Sequence, residues 1–490
     1  MNYLDLTIEE IHEALLSKKV TVLELVKEAL KRAKEDVNND FELILEEDAI
    51  KKAIELDKKE CPKDNIFFGI PYCAKDNFST KGYETTASSN ILNGYVPIFD
   101  ATVIKLLNEK GAILIAKTTL DELAMGGTGT SGHKGITYNP YKLDHSTLIG
   151  GSSCGSCAAV ASGIVPFALG SDTGDSVRKP ASYGGLVGFK PTWGLISRYG
   201  LFPFAPSLDH VAFFTRSVKD ASFALDLLSV HDENDYTSYS KERKSCLFDE
   251  HNISTNKKIG ILKEVYDSID DDTLKNSFDK LINKLKEVGY IVDFVSIDKN
   301  LLSSIYPAYI VISSAEATSN NANLDGIKFG PYYDGKTYQE VMINARTKGF
   351  SPLIKRRFVL GSYALMKENQ EEVFKRAQKI RHLIVNKTNE ILSSYDFIIG
   401  LAAPSVAKKV GEVSEQLSDK YLIADNYLAI GNFGGFPSIT LPLGFKDGLP
   451  FGVNLTSKPY SEKELFEVSY KIEEITGLKN LSVNNKKEGL

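Results

Sequence analysis

The sequence predicts an α/β protein, with a mixed or mostly parallel sheet covered by helices. Three stretches carry that expectation. Ile66 to Ala74 (IFFGIPYCA) is a continuous apolar run that suits a buried strand. Ala101 to Lys110 has helical spacing and is followed at once by Ala112 to Ala116 (AILIA), a second strand. Lys257 to Lys263 (KKIGILK), the amphipathic stretch Asp272 to Val288, and Tyr290 to Ile297 (YIVDFVSI) form a strand-helix-strand unit. Strands alternating with helices pack as a sheet with helices on its faces.

In chain order, the first sixty residues read as an N-terminal helical layer. Thr7-Ile8-Glu9-Glu10 and Thr21-Val22-Leu23-Glu24 both fit the capping box, and Val22, Leu25, Val26 and Leu30 follow at helical spacing. Residues 61–477 read as the main domain, with its catalytic stretch over 66–215. The polar segment His231 to Asn256 suits a surface insertion or a boundary between halves. Helical patterns dominate from Ile305 to Ser393, and strands resume at Ser438 to Leu443 and Phe451 to Thr456. Ser461-Glu462-Lys463-Glu464 is expected to cap a last helix, and residues 478–490 form a tail whose end, from Ser482, is expected to fray.

Composition excludes several classes. At 490 residues and 42% hydrophobic, the chain can bury a large core, and length alone allows two to four domains. A net charge of −6 with both signs mixed throughout leaves no basic footprint for DNA or for direct RNA binding, so any nucleic acid is expected on a partner. Five cysteines in so long a chain make no disulfide framework, and no metal-ligand spacing is present. The N-terminus lacks a signal-peptide pattern and no apolar run is long enough to span a membrane. A cytoplasmic protein is expected.

The chemistry lies between Gly150 and Pro180, in GGSSCGSCAAVASGIVPFALGSDTGDSVRKP, with Lys75 upstream in YCAKDN. Ser152 and Ser176 sit in glycine-rich turns, where backbone N–H groups can converge on a developing oxyanion beside a nucleophilic hydroxyl. A serine needs a base, and none of the seven histidines lies in this stretch. Lysine serves if it is held neutral by burial, and the strand ending at Ala74 delivers Lys75 into such a place. Asp76 facing inward opposes that shift, so it is expected to point elsewhere. Two patterns compete: Gly151-Ser152-Ser153-Cys154-Gly155 formally fits G-x-S-x-G, with Ser153 as nucleophile after a weak strand at His145 to Ile149, and Cys154-Gly155-Ser156-Cys157 formally fits C-x-x-C. The second opens a small-residue helix, where cysteine acts as a small hydrophobe.

The residues from Gly69 to Asp209 resemble the amidase signature family, and weaker similarity continues to about Gly477. The resemblance implies a single large domain and a Ser-Ser-Lys triad: Lys75 as base, Ser152 as the bridge on a cis peptide bond, Ser176 as nucleophile, and the N–H groups of Thr173, Gly174, Asp175 and Ser176 as oxyanion hole. Ser197-Arg198-Tyr199-Gly200-Leu201, Ser207-Leu208-Asp209, Lys355-Arg356-Arg357 with Leu360-Gly361, and Ala377-Gln378-Lys379-Ile380-Arg381 resemble, within that family, the glutaminase subunit of tRNA-dependent amidotransferases. That likeness implies glutamine as substrate, with Arg357 on its carboxylate and Asp425 on its ammonium. It also implies subunits B and C as partners, with charged tRNA, ATP and magnesium held by the partner, and no cofactor in this chain. A self-sufficient amidase for small amides and a non-catalytic scaffold are the alternatives. The scaffold reading draws on one departure, since the family usually has Gly-Gly before the nucleophile where this chain has Gly174-Asp175, and another glycine is replaced by Cys154. Asp175 either disturbs a turn that wants positive φ and raises the Lys75 pKa, or points to solvent or pairs with a nearby cation such as Lys179, which leaves it little influence.

Overall fold

Both N-terminal capping boxes close. Thr7 caps α1 (Ile8–Leu16) and Thr21 caps α2 (Val22–Lys34), each accepting from the third backbone N–H while Glu10 or Glu24 bonds back. The computed structural model describes residues 2–239, 244–412, 416 and 418–485. The N-terminal layer is not wholly helical, however. Between α2 and α3 (Glu46–Leu56), β1 (Phe41–Ile44) joins the sheet antiparallel to β3. At four half-buried residues, β1 is too short to show a periodic signal.

The catalytic stretch builds the centre of the sheet. β2 (Pro71–Lys75) crosses over through α4 (Thr102–Glu109) to β3 (Ile113–Thr118), and the two strands are parallel. α5 (Cys154–Ala161) leads to β4 (Phe167–Asp172), which is parallel to β2 on its other side. Because β2 and β4 run the same way, Lys75 at the end of one and the turn after the other open at the same edge.

α6 (Arg178–Gly184), β5 (Val187–Lys190), β6 (His210–Thr215) and α7 (Val218–Leu228) follow. The sheet is completed by β7 (Lys258–Leu262), β8 (Ile291–Val295), β9 (Phe397–Leu401), β10 (Ser438–Lys446) and β11 (Leu449–Ser457), in the spatial order β1-β3-β2-β4-β6-β5-β10-β11-β9-β7-β8. Six of the ten pairings among described residues are antiparallel, so the sheet is mixed rather than mostly parallel. The strand-helix-strand unit after the polar segment extends this same sheet, so that segment does not divide the chain into separate sheets.

Two sequence expectations fail at the C-terminus. Ser461 forms no side-chain cap on the helix Glu462–Thr476, because Glu462 is buried and accepts from Thr192 N and Oγ1 instead. Residues 482–485 are tied down, with Val483 N donating to Ala161 O at 2.9 Å, while residues 486–490 lie outside the described chain. Among the described residues none of the five cysteines forms a disulfide. Among the described residues, no helix is long and apolar enough to cross a membrane.

The apolar side chains divide into two main clusters. One packs the N-terminal helices and α5 to α7 onto the sheet. The other joins Phe204, Leu208, Ile305, Ile354, Ile384 and Tyr427, fixing the helices of residues 305–394 over the edge where β2 and β4 end. Behind that edge Asp76 faces away from its neighbour Lys75 and pairs with Lys117 at 2.8 Å, both fully buried. Removing one partner of such a pair leaves an unpaired buried charge. Lys117→Met is therefore expected to destabilise the protein by about 3–5 kcal/mol in urea unfolding, and Asp76→Asn added to it to recover a large part of the loss.

Candidate active site

Lys75 ends a strand in which every residue is buried, and its own side chain is inaccessible to solvent. Its Nζ lies 2.7 Å from Ser152 Oγ, 3.0 Å from Ser153 Oγ, 2.9 Å from Ser171 Oγ and 3.4 Å from Ser171 O. These partners are hydroxyls and a carbonyl, none charged. Burial lowers the Lys75 pKa from its ordinary 10.5 to about 7, against opposing pulls from Cys154, Asp121, Asp172 and Asp209. A neutral amine has two N–H donors and one lone pair. Ser153 Oγ already donates to Ser171 O, and Ser171 Oγ accepts from Asn77 Nδ2. Ser152 Oγ has the shortest contact and no other hydrogen bond among the described residues, so it is the hydroxyl whose proton can turn toward the amine.

Ser152 follows a cis Gly151-Ser152 peptide. The loop around it is held by Asp121. Its carboxylate accepts from the backbone N–H groups of Thr128, Gly129, Thr130 and Ser131 and from the Ser131 hydroxyl, while Asp121 N donates to Ser152 O. Gly151 is required here, since a Cβ would collide with Asp121 Oδ2. Gly155 is required for the same reason one turn on, where a Cβ would fall on Asp40 O. The competing patterns dissolve in this geometry. No strand leads into an elbow at Ser153, because residues 145–149 make only isolated bridges. Cys154 and Cys157 are buried on α5, and burial pushes the Cys154 thiol up to about 12.

The turn Thr173 to Ser176 is framed by charges on either side of it. Arg178 holds Asp172 through two contacts, Nε to Oδ2 at 3.1 Å and Nη2 to Oδ1 at 2.9 Å. The Arg178 guanidinium also donates to Gly174 O at 2.7 Å and Asn432 Oδ1 at 2.6 Å, and Asn432 Nδ2 returns to Asp172 O at 2.9 Å. Burial raises the Asp172 carboxyl, but Arg178 overrides it and holds the group well below the usual range. Among the described residues, the N–H groups of Thr173, Gly174, Asp175 and Ser176 donate no hydrogen bond, and Ser176 Oγ has none either. Backbone donors left without an acceptor beside a free hydroxyl suit an oxyanion.

Asp175 takes the second of its two expected courses. It is not among the residues with positive φ, so the turn accepts it. Its carboxylate pairs with Lys179 at 2.5 Å, and Asp175 is absent from the charges acting on Lys75. A neutralised carboxylate has little reach.

Beside the turn lies a cavity of about 350 Å³ lined by Asp175, Lys179, Tyr309, Arg357, Lys408 and Asp425 among others. The two residues assigned to substrate thus share one wall. Arg357 rises from the helix Pro352–Leu365, and its Nη1 is buried without a hydrogen bond. Asp425 Oδ1 is likewise without one. Burial raises the Asp425 carboxyl, and the Lys179 and Lys408 ammoniums outweigh it to hold the group low. The sequence reading missed several members. Asp172 and Arg178, charged residues flanking the serine turn, were a legible signal. Ser171, Lys408, Tyr309 and Asn432 gave none, because only the fold brings them there, while Ser153 stands beside the triad and not as the nucleophile that G-x-S-x-G suggested.

Comparison with known proteins agrees with this geometry. The Amidase family pattern matches residues 24–466. The A subunit of glutamyl-tRNA(Gln) amidotransferase from Pediococcus pentosaceus is 39% identical over 481 residues, covering 97% of this chain and 98% of that one. Its namesake from Staphylococcus epidermidis is 39% identical over 474 residues, covering 95% and 96%. The crystal structure of the A subunit of glutamyl-tRNA(Gln) amidotransferase from Thermotoga maritima superposes with a TM-score of 0.78 at 33% identity, covering 99% of this chain and 97% of that one.

With the Lys75 pKa near 7, amide hydrolysis at this site is expected to rise through pH about 7 on the ascending limb of kcat/KM. Because the folded pKa is depressed, the folded state binds fewer protons than the unfolded chain between about 7 and 10.5, so this group's contribution to stability rises with pH across that window. Asp175→Gly is expected to move the limb by less than about half a unit, since Lys179 already neutralises that carboxylate. A pH profile of both forms checks this, and a limb displaced by a full unit contradicts it.

Proposed function

The chain belongs to the amidase family, and on that premise we propose that it is the glutamine-hydrolysing subunit of a tRNA-dependent amidotransferase. One observation carries the choice of glutamine. The cavity beside the serine turn presents a guanidinium nitrogen of Arg357 without a hydrogen bond and a carboxylate oxygen of Asp425 held only by a 3.3 Å ion pair to Lys179, the two charges that an α-carboxylate and an α-ammonium require. The activity for which the relatives are named supports the same reading.

In the proposed reaction, neutral Lys75 takes the proton of Ser152 as Ser152 takes that of Ser176, and Ser176 Oγ attacks the side-chain amide carbon of glutamine. The tetrahedral oxyanion is met by the N–H groups of Thr173 to Ser176, each well-placed donor being worth roughly 3 kcal/mol. Collapse breaks the C–N bond, and the proton returns through Ser152 to the leaving nitrogen, which departs as ammonia. Water attacks the acyl-enzyme along the same relay, releasing glutamate and restoring Ser176. The ammonia serves a partner subunit, which holds charged tRNA, ATP and magnesium and amidates tRNA-bound glutamate. Lys75 is 2.7 Å from Ser152 in a dry, carboxylate-free shell, which favours catalysis by this chain over a scaffold role.

Ser176→Ala is expected to abolish glutaminase activity and glutamine-dependent amidation in the assembled complex while ammonium salts still support amidation. Loss of both in a folded complex contradicts this division of labour. Arg357→Ala is expected to raise the KM for glutamine by about tenfold or more with a smaller change in kcat, because a carboxylate clamp binds ground and transition states alike. An unchanged KM removes Arg357 from the site.

A further inference from the structure

Lys179 stands between two carboxylates of the cavity wall. Its Nζ is 2.5 Å from Asp175 Oδ2 and 3.3 Å from Asp425 Oδ1, and it donates to the backbone carbonyl of Asp425 at 2.6 Å. Lys408 donates to the other Asp425 oxygen, Oδ2, at 3.2 Å. A lysine ammonium this close to Asp425 competes directly with the ammonium of a substrate, since both seek the same oxygen. Lys179 engages that oxygen only through the longer ion pair at 3.3 Å, which lacks hydrogen-bond geometry. The i,i+4 spacing at the start of α6 gives Lys179 a nearer partner in Asp175, and the shorter ion pair takes the ammonium.

Charge counting leads to the same place. Apart from the exposed Glu412, the wall carries three cations, Arg357, Lys179 and Lys408, and two carboxylates, Asp175 and Asp425. Without Asp175 three cations face one carboxylate, and an entering ammonium meets repulsion in a partly dry cavity. We propose that Asp175 is a specificity-determining positioning residue: by holding the Lys179 ammonium at the shorter distance it weakens that ammonium's grip on Asp425 Oδ1, and so selects amides that carry a free α-amino group. The proposal rests on the glutaminase reading above and adds to it a residue at which this chain leaves its family's pattern. Asp175 does not touch the reacting amide with its side chain; it acts through Lys179.

The test compares glutamine with glutaramate, the same amide without its α-amino group, in the assembled complex. Asp175→Asn is expected to lower the ratio of kcat/KM for glutamine to kcat/KM for glutaramate by about tenfold, mainly through the KM for glutamine. Asp175→Glu, which can still reach Lys179, is expected to restore discrimination. Asp175→Asn combined with Lys179→Gln is expected to restore it too, because the competitor is gone and the glutamine amide can still donate to the Asp425 carbonyl. Equal losses on both amides overturn the proposal, as does a double variant no better than Asp175→Asn. Discrimination that falls with Asp425→Ala but not with Asp175→Asn overturns the proposal alone. A wild-type complex indifferent between the two amides overturns the glutaminase reading and this proposal with it.

Discussion

The site depends on keeping one amine both dry and free of carboxylates. A lysine leaves water at a cost that is repaid either by an ion pair, which locks it as a cation, or by loss of its proton. The chain enforces the second outcome by committing each nearby acid elsewhere. Asp76 is held by Lys117, Asp121 by five donors of the loop 128–131, Asp172 by Arg178, and Asp209 by Thr173 and the backbone of residues 204 and 205. What remains around Lys75 is a shell of serine hydroxyls and a carbonyl, which a neutral amine satisfies as well as a charged one.

Those commitments also build the geometry. Asp121 shapes the loop that presents Ser152, and the Asp172, Arg178 and Asn432 network fixes both ends of the turn that presents Ser176. A buried ion pair is a poor source of net stability, since desolvation offsets much of the attraction. Its value here is rigidity. Backbone donors proposed for an oxyanion are useful only if they do not relax, and bonds from Arg178 to Gly174 O and to Asp172 leave the turn little freedom.

The residues proposed to recognise substrate lie in a different part of the molecule. Arg357, Tyr309 and Asp425 belong to the helical region packed over the sheet edge by the second apolar cluster, and the Tyr309 ring lies against Gly174. Chemistry is thus anchored in the sheet and recognition in its cover. Asp175 and Lys179 lie where the two meet, at the start of α6 and on the cavity wall.

Much of this was legible in sequence because it is local. A continuous apolar run ending in lysine specifies a buried strand that delivers Lys75, and glycine-rich turns around Ser152 and Ser176 specify exposed donors and hydroxyls, whatever the rest of the chain does. The capping boxes of α1 and α2 were readable for the same reason, since each closes within four residues. The failed cap at Ser461 marks the limit: Glu462 had a buried partner 270 residues away in Thr192, and a long-range bond displaced the local one. The mixed character of the sheet, the place of β1 at its edge, and the pairing of Asp175 with Lys179 rather than with the field of Lys75 were decided by tertiary structure. The sequence by itself determined which residues could do the chemistry; only the fold decided which charges cancel, because cancellation depends on distances between segments that sequence order does not set.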